Sequence, residues 1–114
     1  MKVHVMIMRA DGLVLQKDIE LDDDGKKRAP TIRSMVDEVI GKDNYAEHVT
    51  VFWNGKYCDM FVDEEGHLKG LEINILATAV YWNNVLVHRP TEQRDIMEHP
   101  IVGNAILFGD RVVI

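Results

Sequence analysis

The side chains best suited to chemistry here are five histidines, one cysteine and a scatter of carboxylates. His4, His48, His67, His88 and His99 have no partner at the i, i+2 or i, i+4 spacing that a metal site on one strand or helix would use. They are expected at the surface or on hairpins. Cys58 alternates with Met60 and Val62, which fits a buried, inert thiol better than a nucleophile. Asp59 and Asp63 would share one strand face with Phe61 between them, followed by Glu64 and Glu65. Two such carboxylates could work as an acid and a base. With no second constellation nearby, solvated hairpin charges are the expectation. Glu20, Asp22, Asp24 and Gly25 fit the first half of a calcium loop. The twelfth place, which needs a bidentate Glu, is Thr31, and Lys26-Lys27-Arg28 and Pro30 fall inside the loop. Nucleophile-elbow, phosphate-loop and dinucleotide fingerprints are absent from the sequence. The expectation is a protein that is not an enzyme and carries no cofactor or metal.

The segment Asn74 to Asn84 is richest in recognition chemistry, combining amides, a hydroxyl and two aromatic rings. Rings supply contact area and amides supply direction. Asn74, Thr78, Tyr81 and Trp82 are therefore the candidate ligand- or partner-binding residues. Stacking on a ring with amide hydrogen bonds would suit a nucleobase. The competing reading is a capped helix whose rings pack on a sheet.

These residues must be held by secondary structure, which the hydrophobic pattern outlines. Lys2 to Met8 alternates with Val3, Val5 and Ile7 on one face, and Met6 and Met8 make the other face apolar too, as in a central strand. Asp11-Gly12 signals a turn, and Leu13 to Leu21 returns as a half-buried strand with Leu13, Leu15, Ile19 and Leu21 on its inner face. Asp22 to Ala29 reads as a charged loop. Pro30 can open a helix, and Ile32, Met35, Val36, Val39 and Ile40 form its apolar stripe up to Gly41. Val49 to Trp53 and Lys56 to Asp63 flank Asn54-Gly55, a strong hairpin signal. Asn74 can cap a short helix through Ala77, Val80 and Tyr81. Val87 to Pro100 reads as an exposed loop, Ile101 to Phe108 as a strand, and Arg111 to Ile114 as a closing strand after Gly109-Asp110. The predicted fold is one α+β domain over residues 1–114. It has a mainly antiparallel sheet of about six strands in the order β-β-α-β-β-α-β-β, with one amphipathic helix packed on one face.

Composition agrees with a single globular domain. The chain has 114 residues, of which 46% are hydrophobic and 28% charged. Its net charge of −6, from 19 acidic and 13 basic residues, disfavours nucleic-acid backbones. Lys26-Lys27-Arg28 is offset by Asp22-Asp23-Asp24 and reads as part of a solvated loop. No apolar run approaches the roughly 20 residues of a membrane span. Arg9 and Asp11 interrupt the first strand before it could act as a signal peptide. One cysteine cannot form an internal disulfide, which favours a reducing, cytoplasmic compartment. A terminal strand ending Val112-Val113-Ile114 would leave an edge able to pair with a second copy, so a homodimer is one expectation.

Residues 32 to 108 carry a family resemblance. Val62-Asp63-Glu64-Glu65-Gly66-His67-Leu68-Lys69-Gly70-Leu71 resembles the strand exit N-E-x-G-K-x-x-G-L, Asn74, Ala77, Thr78 and Tyr81 follow at the spacing N-x-x-A-T-x-x-Y, and Ile101-Val102-Gly103-Asn104-Ala105-Ile106-Leu107 resembles the closing strand. The pattern is that of the uncharacterised "domain of unknown function 3846" family, small proteins of bacteriophages, plasmids and bacterial mobile elements. The chain departs from it at Gly41-Lys42, where a Gly-Gly pair is usual, and in a longer Arg89 to His99 loop. The family brings no catalytic residues with it. What the resemblance implies is an accessory role in a host cytoplasm, by binding a host protein in host modulation or anti-defence. The alternative is binding or sequestering a small molecule such as a nucleotide.

Overall fold

The computed structural model describes residues 1–88 and 100–113. Among the described residues, five strands and two helices follow one another as β1 (Lys2–Met8), β2 (Val14–Glu20), α1 (Gly25–Ile40), β3 (Ala46–Trp53), β4 (Lys56–Asp63), α2 (Ile75–His88) and β5 (Ala105–Phe108). The strands form one sheet in the order β2-β1-β5-β4-β3, and every neighbouring pair is antiparallel. The two hairpins thus stand on either side of β5, the last strand in sequence and the central one in space.

The hairpin signal at Asn54-Gly55 is realised with φ of 54° and 86° at the two positions. Positive φ at both is what a two-residue type I′ turn needs, and only Gly accepts it without steric cost. It sets the register Trp53↔Lys56 through Ala46↔Asp63. The strand parity read from the sequence then sorts the apolar side chains onto two faces. Val3, Val5, Ile106 and Phe108 pack with Ile32, Val36 and Ile40 of α1. Met6, Met8, Cys58, Met60 and Leu107 pack with Ala77 and Val80 of α2.

Four expectations are corrected. Both faces of the sheet carry one of the two expected helices, so the architecture has three layers rather than a sheet with helix packing on one face only. The α1 helix begins at Gly25, not Pro30, because the Asp24 carboxylate caps it by accepting from the Lys26 N–H at 2.8 Å. Lys26-Lys27-Arg28 accordingly lies in the first helical turn and not in a loop. Leu13 and Leu15 are half exposed, because β2 is an edge strand and only Ile19 near its end and Leu21 just beyond it join the core. The sixth strand is missing among the described residues: the backbone N–H groups of Val112 and Val113 bind a side-chain carboxylate instead of a neighbouring strand. The edge on which the expected dimer rested is therefore not formed by residues 111–113.

The expected loop from Val87 to Pro100 begins later, since α2 runs to His88; residues 89–99 lie outside those described. No helix among the described residues is long and apolar enough to cross a membrane.

Candidate functional site

Asn74, Thr78, Tyr81 and Trp82 fall at helical spacing along α2 and its cap. Asn74 is buried, and both ends of its amide are engaged. Its Nδ2 donates to the carbonyls of Met8 and Gly103, each at 2.8 Å, and its Oδ1 accepts from the Ala77 N–H at 3.0 Å. The Thr78 hydroxyl accepts from the Ile101 N–H at 2.9 Å and donates to the Ile101 carbonyl at 3.2 Å. These two residues tie α2 to β1 and to the lead-in of β5. Tyr81 is half-buried against the α2-side core, and Trp82 is also half-buried. The four thus share a helix, with the two polar members turned to internal bonds.

Asp59 and Asp63 enter separate networks, roughly 13 Å apart along β4. Asp63 accepts from the Lys69 ammonium at 2.8 Å, which also donates to the Asn44 side chain at 2.8 Å. Of the histidines, His4 contacts Asp18 and Gln16 on the β1–β2 hairpin, and His67 contacts the Pro100 carbonyl. Cys58 is buried, and burial pushes its thiol pKa up. The acidic residues of the half calcium loop serve local ends, since Asp22 accepts from the Asp24 N–H and Asp24 caps α1.

Asp59 departs most from its sequence reading. It is a fully buried hub and not a solvated hairpin charge. One oxygen accepts from His48 Nε2 at 2.7 Å and Arg111 Nε at 2.8 Å. The other accepts from the N–H groups of Val112 at 2.7 Å and Val113 at 3.0 Å. Burial works to raise its pKa. The Val113 N–H, the His48 ring and the Val112 N–H more than offset that, and the carboxyl sits below its ordinary value. A buried carboxylate that orients an imidazole is an arrangement general bases use. Here the carboxylate's acceptor positions are shared with a guanidinium and two backbone N–H groups, and Cys58 packs on the opposite side of the sheet. The hub acts as a latch that holds the C-terminal segment against β4.

The latch builds one wall of an open groove of about 560 Å³. Ile32 and Val36 of α1, Phe61 of β4, and Val112 and Val113 give it an apolar lining. The Phe61 ring stands 5.3 Å from that of His48 and 6.0 Å from that of Phe108, centre to centre, which fixes it between latch and core. Tyr45, 67% exposed, forms a lip. The charged groups of the lining are Lys26, Arg33 and Asp37, and a contiguous hollow on the outer side of α1 adds Lys42. Arg28 is committed elsewhere, to the carbonyls of Val112 and Asp23, and so fastens α1 to the latch.

None of the groove residues was singled out by motif. The one available signal was a lone carboxylate inside the apolar run Tyr57-Cys58-Asp59-Met60-Phe61-Val62, a position that folding must either neutralise or pair. No family model, curated protein or solved structure matches the chain.

Proposed function

We propose that the protein is a non-enzymatic binding module whose groove between α1 and the latched C-terminal segment takes a segment of another protein, with apolar anchors flanked by acidic residues. The observation that carries this reading is the groove itself: an apolar floor with two basic side chains and one acidic one at its rim, on a chain of net charge −6. Buried apolar anchors supply most of the affinity in such contacts, and rim charges select the partner. A host protein is the partner class implied by the resemblance to phage and mobile-element proteins, in host modulation or anti-defence.

Selection of displayed random peptides on the full chain tests the reading. Enriched peptides should combine a large apolar residue with Asp or Glu, and K26E/R33E should abolish their binding without lowering the melting temperature. Enrichment of peptides indifferent to that charge reversal would overturn it.

A second reading, self-association, is favoured by a different surface. Leu68, Ile73 and Ile75 are 88%, 54% and 81% exposed within eight residues of one another, an unusual concentration of uncovered apolar side chains. Sedimentation velocity should then show a dimer that Ile75→Asp dissociates; a wild-type monomer at all concentrations would exclude it.

A further inference from the structure

A second cavity lies on the other face of the sheet from α1, where β1 begins, β5 ends and β3 turns into β4. It encloses about 350 Å³. Met6, Cys58 and Leu107, all buried, form its apolar floor, and the half-buried Trp53 lines its side. Its charged groups are Lys2, Lys56, His4 and Asp18. We propose that this cavity binds a small anion built on an aromatic ring, the ring lying against Trp53 and the anionic group meeting Lys2 and Lys56.

The volume is at the low end of small-molecule sites, room for a ring system and one charged group. An indole side wall over an apolar floor suits a flat ring. The two lysines decide the charge. Lys2 Nζ is 3.6 Å from Asp18, and Lys56 Nζ is 3.5 Å from Asp110, both longer than the roughly 2.7–2.9 Å of a charge-assisted hydrogen bond. The lysine side chains are 73% and 55% exposed, so each can turn to a ligand at little cost. Asp18, held by the His4 ring at 2.8 Å, stays at the rim as an acidic group, and an anion meeting Lys2 must displace that looser ion pair. The His4 contacts to Asp18 and Gln16 raise the His4 pKa, which adds positive character to the rim as pH falls. Gly109 lets the wall close up: its N–H donates to the His4 carbonyl at 2.7 Å, and a Cβ there would lie 3.0 Å from the same oxygen.

Ring phosphates and ring carboxylates share this chemistry, and calorimetry on the full chain separates them. The probes are AMP, phenyl phosphate, indole-3-acetate, adenosine and inorganic phosphate. At least one ring anion should bind with a Kd below about 1 mM, and adenosine and phosphate alone should bind roughly tenfold more weakly or not at all. Preference for AMP and phenyl phosphate over indole-3-acetate would identify the anion as a phosphate; the reverse would identify a carboxylate. Lys2→Ala and Lys56→Ala should each weaken binding by roughly tenfold without lowering the melting temperature of the free protein. K26E/R33E, in the groove on the other face, should leave it untouched, so the two sites fail independently. The proposal is overturned if no ring anion binds, if inorganic phosphate binds as tightly as the ring anions, or if binding survives the double lysine variant.

Discussion

Asp59 holds its place through four donors, two from the backbone of a segment more than fifty residues away. Removing the carboxylate strands those donors, so Asp59→Ala should cost about 3 kcal/mol in urea unfolding. Arg111→Ala should cost about 1 kcal/mol, because the guanidinium is half exposed and supplies one bond of four. The depressed pKa fixes the sign of the pH dependence. Stability from the latch is complete above the ordinary carboxylate value of about 4 and is lost as pH falls through the lower folded value. In acid, the amide signals of Val112 and Val113 should shift before global unfolding; an Asp59→Asn protein should show no such step. Asn74 gives a sharper test. Asn74→Asp keeps the acceptor for Ala77 but sets a carboxylate oxygen against the Met8 and Gly103 carbonyls, so it should destabilise at least as much as Asn74→Ala, about 2 kcal/mol. The cap at Asn74 was legible because a cap and its helix are neighbours in sequence. The Asp59 latch was not, because its partners are brought together only by folding.

Among the elements, local signals carried as far as the local physics did. β1 and β4 match their sequence reading from first residue to last, since alternation and an Asn-Gly turn determine them together. The start of α1 differs from its sequence expectation because three basic residues crowd the positive end of the helix dipole and Pro30 sits inside the helix. Asp24 as cap and the Ile32–Val36–Ile40 stripe on the sheet override both. Pro30 lacks the N–H that would reach the Lys26 carbonyl, so Pro30→Ala should raise the thermal stability, by about 1 kcal/mol. A loss of stability would mean that proline's restriction of the unfolded chain outweighs the missing bond. Residues 111–113 are apolar enough to read as a strand, yet they follow β5 too closely to find a free ladder: both edges of β5 are already paired with β1 and β4.

At the scale of the whole molecule, strand order was the part hidden from sequence. Two local hairpins are written plainly, but nothing in the pattern says that the last strand enters between them. With β5 in that place, α1 and α2 cover opposite faces, and each leaves part of its face open. The α1 side keeps the groove beside Phe61, and the α2 side keeps the cavity beside Trp53. The candidate residues on α2 were chosen for type and spacing, and in the fold Asn74 and Thr78 spend their polar groups internally. Recognition chemistry that remains accessible therefore sits where helices stop covering the sheet, which no periodicity reveals. The most direct measurement is an amide-shift map of the full chain titrated with an acidic, apolar-anchored peptide obtained by selection. Shifts should centre on Ile32, Val36, Phe61 and Val113, and vanish in K26E/R33E. Shifts confined to α2 or β2, with those four amides unmoved, would contradict the assignment of the groove as the binding surface.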